Sequence, residues 1–178
     1  MAALTAVLSD DERGRAERFR FEPSRWQFTA ARAALRCILA TYLDKSPRAL
    51  TFGYGERGKP FLPDKPIRFN LSHSGDWALC AVSLNHAVGV DIELMRADRE
   101  LDTLARRFFA PAEAETLAAL PEPQRVQGFY NCWTRKEAYI KACGDGLWRA
   151  LDQFRVTLGP SQAPALVWTE GDPGEAAQ

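Results

Sequence analysis

The stretch from Ile67 to Glu93, IRFNLSHSGDWALCAVSLNHAVGVDIE, decides how this chain folds. Three runs of strand-forming residues, Ile67 to Leu71, Trp77 to Leu84 and Ala87 to Ile92, are separated by Ser74-Gly75-Asp76 and by Asn85-His86. The simplest arrangement of such runs is an antiparallel meander. Side chains along a strand point alternately to its two faces. In the last run Val88, Val90 and Ile92 therefore share one side, and Asp91 and Glu93 project together from the other.

Upstream, Gly53, Gly55 and Gly58 spell G-x-G-x-x-G, and Gly53 to Lys59 also spells G-x-x-x-x-G-K. Both motifs work by placing a phosphate at the start of a helix. Here the glycines run into Lys59-Pro60-Phe61-Leu62-Pro63, whose prolines cannot supply a row of N–H donors. A glycine-rich turn is the expectation, not a nucleotide loop. From Ser24, the residues Phe28, Ala31, Leu35, Ile38, Leu39 and Tyr42 recur at helical spacing until Ser46-Pro47 breaks the pattern. Before them, Ala3 to Leu8 reads as a short strand leading to a helix that opens on Ser9 and Glu12, spaced as a capping box.

Downstream, helical patterns appear at Leu101 to Phe109, after Pro111, and from Gln124 to Cys143. Weak strands follow near Phe154 to Leu158 and Leu166 to Trp168, and a polar tail with Gly and Pro begins at Glu170. The order of elements predicts an α+β fold. Neither an internal repeat nor a low-complexity segment stands out.

Composition narrows the function. Basic and acidic residues balance at 23 each in 178 residues, so an anion or cation site must come from local clustering, and nucleic acid is not a favoured partner. The four cysteines form no CxxC, and with only His73 and His86 beside them they lack zinc-site spacing. A reduced, cytoplasmic setting is expected. No apolar run reaches membrane-spanning length, and the N-terminus lacks the pattern of an export signal.

Three clusters carry chemistry. Asp91 and Glu93 on one strand face repel each other, and a hard divalent cation such as Mg2+, which prefers oxygen ligands, relieves that repulsion. Taken alone, they also match the solvated end of a strand. In Trp133-Thr134-Arg135-Lys136-Glu137-Ala138-Tyr139-Ile140-Lys141, Glu137 and Lys141 stand one turn apart. That spacing suits an ordinary surface ion pair, or a carboxylate and an ammonium holding a metal and a phosphate together. Asn70 to Asp76 offers hydroxyls and His73 as hydrogen-bond donors to an anion.

Taken in order, GKP at Gly58 to Pro60, NLSHSGDWALCAV from Asn70, VGVDIE ending at Glu93 and WTRKEAYIK from Trp133 closely resemble the Sfp-type 4'-phosphopantetheinyl transferases. The resemblance implies two similar halves related by a pseudo-twofold, residues 1–86 contacting coenzyme A and residues 87–178 holding the metal and catalytic groups. Against the family's usual length, the C-terminal half is expected to be shortened. The implied activity is that of a holo-[acyl-carrier-protein] synthase type transferase: a monomeric, Mg2+-dependent enzyme moving phosphopantetheine from coenzyme A to a serine of an acyl or peptidyl carrier protein.

By the same resemblance Asp91, Glu93 and Glu137 are the metal carboxylates. Glu137 is the base for the serine hydroxyl, and Lys141 lies at the pyrophosphate. Lys59, Ser72 and His73 contact the nucleotide and its phosphates, with Lys136 adjoining. Arg13, Arg15, Arg18 and Arg20 form a basic run where the family has further phosphate contacts, and Thr29 matches a hydroxyl near the coenzyme. The competing readings are a non-catalytic carrier-protein or coenzyme A binding module, and a Mg2+-dependent phosphatase or nucleotidyl enzyme.

Overall fold

The computed structural model describes residues 2–63, 65–97, 100–144 and 149–170. Helices α1 (Ala2–Ala6), α2 (Asp10–Glu17) and α3 (Glu22–Leu43) are followed by strands β1 (Gly53–Tyr54), β2 (Pro60–Phe61), β3 (Ile67–Ser74) and β4 (Trp77–Leu84). Helices α4 (Leu101–Phe108), α5 (Pro111–Ala119) and α6 (Glu122–Cys143) then lead to strands β5 (Phe154–Val156) and β6 (Leu166–Thr169). The fold is α+β, with three two-stranded antiparallel sheets among the described residues: β1–β2, β3–β4 and β5–β6. Residues 171–178, most of the tail, lie outside the described residues.

Each half is organised by one 22-residue helix, α3 or α6. Leu35 and Leu39 of α3 pack with Leu50, Leu62, Ile67 and Phe69. A separate core joins Phe129, Cys132 and Ile140 of α6 to Leu101, Leu117 and Phe154. The apolar stripe of α3 is narrower than its sequence suggests, since Ile38 and Tyr42 are exposed. Two arginines share its buried face. Arg36 Nε meets Glu12 Oε2 at 2.5 Å, and Arg32 Nε lies 3.3 Å from Glu12 Oε1 as an ion pair without hydrogen-bond geometry. Arg36 also donates to Ser9 Oγ and to the carbonyls of Pro47 and Leu50, so one buried guanidinium joins α2, α3 and the loop after α3. The capping box is formed, with Ser9 N–H donating to Glu12 Oε2 at 3.1 Å.

Two expectations need correction. The segment from Ala3 to Leu8 is not a strand; residues 2–6 form α1, which packs on α3. Three of its five residues are alanine, the best helix former, and no strand among the described residues lies beside it to pair. The run from Ala87 to Ile92 is extended, but it is not the third strand of a meander. Alternate N–H groups from Val90 onward are taken by side chains of β3: Val90 donates to Asn70 Oδ1 (2.8 Å), Ile92 to Ser72 Oγ (3.4 Å) and, just beyond the run, Leu94 to Ser74 Oγ (2.9 Å). The constant offset of 20 residues means that the segment runs parallel to β3. Polar side chains at alternate β3 positions thus replace a main-chain ladder.

The glycine-rich turn is a turn. Gly58 N–H donates to the Gly55 carbonyl and Gly55 N–H to the Lys59 carbonyl, closing the β1–β2 hairpin, with Gly58 at φ 78°. No helix starts there, so the phosphate-loop motifs are coincidental.

Candidate functional site

The site is built where the segment after β4 passes between β3 and α6. On one side, Asn70, Ser72 and Ser74 grip its N–H groups. On the other, Gly89 lies against the α6 backbone so closely that a Cβ would fall 1.9 Å from the Ala138 carbonyl oxygen and 2.3 Å from Ala142 N. Only glycine permits this approach. The approach of Gly89 sets the depth of the segment, and the hydroxyls of Ser72 and Ser74 set the direction of Asp91 and Glu93.

Leu71, Ser72, His73, Asp91, Glu93, Trp133, Glu137 and Lys141 line a cleft of about 340 Å3. Six of the residues singled out from sequence therefore lie together: Ser72 and His73 from β3, Asp91 and Glu93 from the extended segment, Glu137 and Lys141 from α6. Their interactions differ from the simple i, i+4 ion pair. The Lys141 ammonium pairs with Asp91 Oδ1 and donates to Ser72 Oγ (3.1 Å), so it bridges α6 to both other elements. Ser72 in turn donates to Asp91 Oδ1 at 2.7 Å, and Ser74 to Glu93 Oε2 at 2.9 Å.

The charges do not balance. Three carboxylates face one lysine, and the second oxygen of Asp91 is buried without a hydrogen-bond partner. An anionic oxygen in that state is costly unless a cation reaches it. Glu137 carries the electrostatic result: burial pushes its carboxyl above the ordinary range, Lys141 opposes the shift, and Asp91 and Glu93 add to it. The donor set is all oxygen, as Mg2+ prefers, and so fits such an ion. Among the described residues, no group of three or more His, Cys, Asp or Glu side chains is placed to hold a metal as it stands.

Two lysines lie elsewhere. Lys136, expected beside the coenzyme, has no exposed side-chain surface. Its ammonium lies 2.7 Å from Glu113 and donates to the carbonyls of Leu151 and Phe154. This corrects the assignment, because a lysine buried in the second core and fully partnered there cannot reach a ligand in the cleft. Lys59 Nζ donates to the carbonyls of Val88 (3.2 Å), Ala142 (3.1 Å) and Lys141, tying the β1–β2 hairpin to the C-terminus of α6. Burial holds its pKa below the usual lysine value, with Cys143 opposing and Arg68 reinforcing the shift.

Arg13 is tied to the Leu8 carbonyl and Asp10, whereas Arg15 and Arg18 line a separate cleft with Asp10, Asp11 and Tyr54. Arg20 lies over Phe21, and Thr29 is buried in α3. Sequence reasoning placed Asn70 and Ser74 in a cluster offering donors to an anion, whereas their partners are the extended segment and Glu93, and it did not assign Gly89. The Asn-x-Ser-x-Ser alternation at strand period was the available signal for the first two; nothing local marked the closeness of Gly89 to α6. No described helix is long and apolar enough to cross a membrane.

Two family models together span the chain. The "4'-phosphopantetheinyl transferase, N-terminal" model matches residues 1–85, and the "4'-phosphopantetheinyl transferase superfamily" model matches residues 87–178. The chain is 45% identical over 167 residues to the 4'-phosphopantetheinyl transferase HetI of Nostoc sp., covering 92% of this chain and 70% of HetI. It is 31% identical over 181 residues to the 4'-phosphopantetheinyl transferase Sfp of Bacillus subtilis, covering 95% of this chain and 80% of Sfp. With the 4'-phosphopantetheinyl transferase AcpT of Escherichia coli K12 it shares 38% identity over 128 residues, 71% of this chain and 62% of AcpT.

Proposed function

Because this chain belongs to the 4'-phosphopantetheinyl transferase superfamily, we propose that it transfers phosphopantetheine from coenzyme A to a serine of an acyl or peptidyl carrier protein, with Mg2+ at the cleft carboxylates. The observation that supports this most is the convergence of Ser72, Asp91, Glu137 and Lys141, from three separate elements, on one cleft with excess negative charge.

In the proposed reaction the serine Oγ forms a bond to the β-phosphorus of coenzyme A. The bond from that phosphorus to the bridging oxygen breaks, and 3',5'-ADP leaves with the electron pair. Glu137 accepts the serine proton, directly or through a water. Lys141, already placed between Ser72 and Asp91, offers a fixed positive charge to the pyrophosphate. Asp91, Glu93 and Glu137 would hold the cation, which when bound supplies charge neutralisation to the phosphates. Lys59 acts from the seam through the carbonyls it holds, and His73, exposed at the cleft rim, is available to an incoming phosphate.

The test is intact mass spectrometry of an apo carrier protein after incubation with this chain, coenzyme A and Mg2+. A gain of one phosphopantetheine that disappears with EDTA is expected. Failure to modify any of several carriers by a folded chain would favour a binding module.

A further inference from the structure

The side chains that replace a backbone ladder along β3 do more than hold the extended segment. A serine hydroxyl has one proton to donate and lone pairs to accept with. Ser72 and Ser74 use both in the same way: each oxygen accepts the N–H of the residue 20 positions on, and each proton goes to the carboxylate 19 positions on. Ser72 thereby orients Asp91, and Ser74 orients Glu93. Asn70 continues the row for the N–H of Val90 alone, with no carboxylate attached.

Asp91 has Ser72 and Lys141 to fix it, and its side chain is only 4% exposed. Glu93 is exposed, and among the described residues its carboxylate has one hydrogen-bond donor, Ser74. Without that hydroxyl, solvent and free rotation would leave the second carboxylate unaimed. We propose that Ser74 is a positioning residue, holding Glu93 toward the cleft and so setting the affinity of the site for a divalent cation.

This inference rests on the cation reading of the cleft. Metal-bound groups oriented by outer hydrogen bonds typically lose about 10- to 100-fold in metal affinity when the orienting partner is removed. A loss of that size is therefore expected for Ser74→Ala.

The experiment titrates the full chain with Mn2+, following the free ion by electron paramagnetic resonance, with coenzyme A absent and then saturating. Urea unfolding is measured on the same samples. Ser74→Ala is expected to weaken Mn2+ binding about tenfold or more. Ser74→Thr keeps the hydroxyl on a strand-compatible side chain and is expected to restore binding to within about threefold. Asn70→Ala loosens the same segment without touching a carboxylate, so it is expected to lower stability and leave Mn2+ affinity within about twofold. If Ser74→Ala is too unstable to titrate, Ser74→Cys, with its weak donor, is expected to show the same loss.

Unchanged affinity in Ser74→Ala, or an equal loss in Asn70→Ala, would overturn the positioning role and leave the cation reading standing. Mn2+ binding by the wild type no tighter than by Asp91→Ala would overturn both.

Discussion

Replacing Gly89 by alanine puts the construction of the cleft under direct strain. The added Cβ would lie 1.9 Å from the Ala138 carbonyl oxygen, where real contacts of that kind essentially never fall below 3.0 Å. The segment or α6 must therefore retreat by at least the difference, 1.1 Å. Both neighbours are main chain of α6 and not flexible side-chain ends, and the segment carrying Gly89 is itself pinned by Asn70, Ser72 and Ser74. Relaxation consequently separates Asp91 from Lys141 and Glu137. Overpacking of this kind costs about 1–3 kcal/mol of stability, and a misplacement near 1 Å costs about 100-fold in rate. The assay pairs urea unfolding with initial rates of carrier modification by mass spectrometry, at protein concentrations corrected for the folded fraction. A Gly89→Ala chain within twofold of wild-type rate, with an unaltered urea midpoint, would refute the close packing as the device that places Asp91.

Glu137→Gln is expected to abolish transfer yet raise stability at neutral pH. The native carboxyl titrates above its ordinary value, so between the unfolded and native pKa the native state binds the proton more tightly, and stability falls as pH rises through that window. Removing the charge removes the penalty; for the metal-free chain, a urea midpoint that drops at pH 7 and is indifferent to pH just above the ordinary carboxylate value would contradict this account. Glu12→Ala leaves Arg36 and Arg32 buried without their carboxylate and is expected to cost about 3–5 kcal/mol, read as a lowered urea midpoint. Lys136→Met strands the carboxylate of Glu113 in the second core and is expected to cost a similar amount, about 3–5 kcal/mol, while the KM for coenzyme A of the folded enzyme stays unchanged. A raised KM with normal stability would return Lys136 to the ligand site.

Much of this architecture was legible because it depends on local periodicity. The helical spacing of α3 and α6, the turn chemistry of Ser74-Gly75-Asp76 and Gly58, and the capping box of Ser9 and Glu12 are properties of neighbouring residues, and they appear where the pattern puts them. The residue types of the cleft were legible too, since carboxylates sharing a strand face and a Glu–Lys turn of helix are one-dimensional patterns. Alternation, however, reports extended backbone and not its partner. The run from Ala87 to Ile92 has the sequence of a strand, but its neighbour is a row of hydroxyl and amide side chains on β3.

What tertiary structure alone decided is which partner each charge found. Lys136 and Lys141 lie five residues apart on one helix. Helical geometry turns them to different faces, so one ammonium enters a core beside Glu113 and the other reaches Asp91 in the cleft. Most of the elements, apart from α1 and the pairing of the Ala87 to Ile92 run, and the chemical alphabet of the site follow from one-dimensional pattern. The choice among equally plausible ion pairs rested on long-range packing, because Coulomb attraction and burial depend on distance in space, which Gly89 and the β3 side chains set.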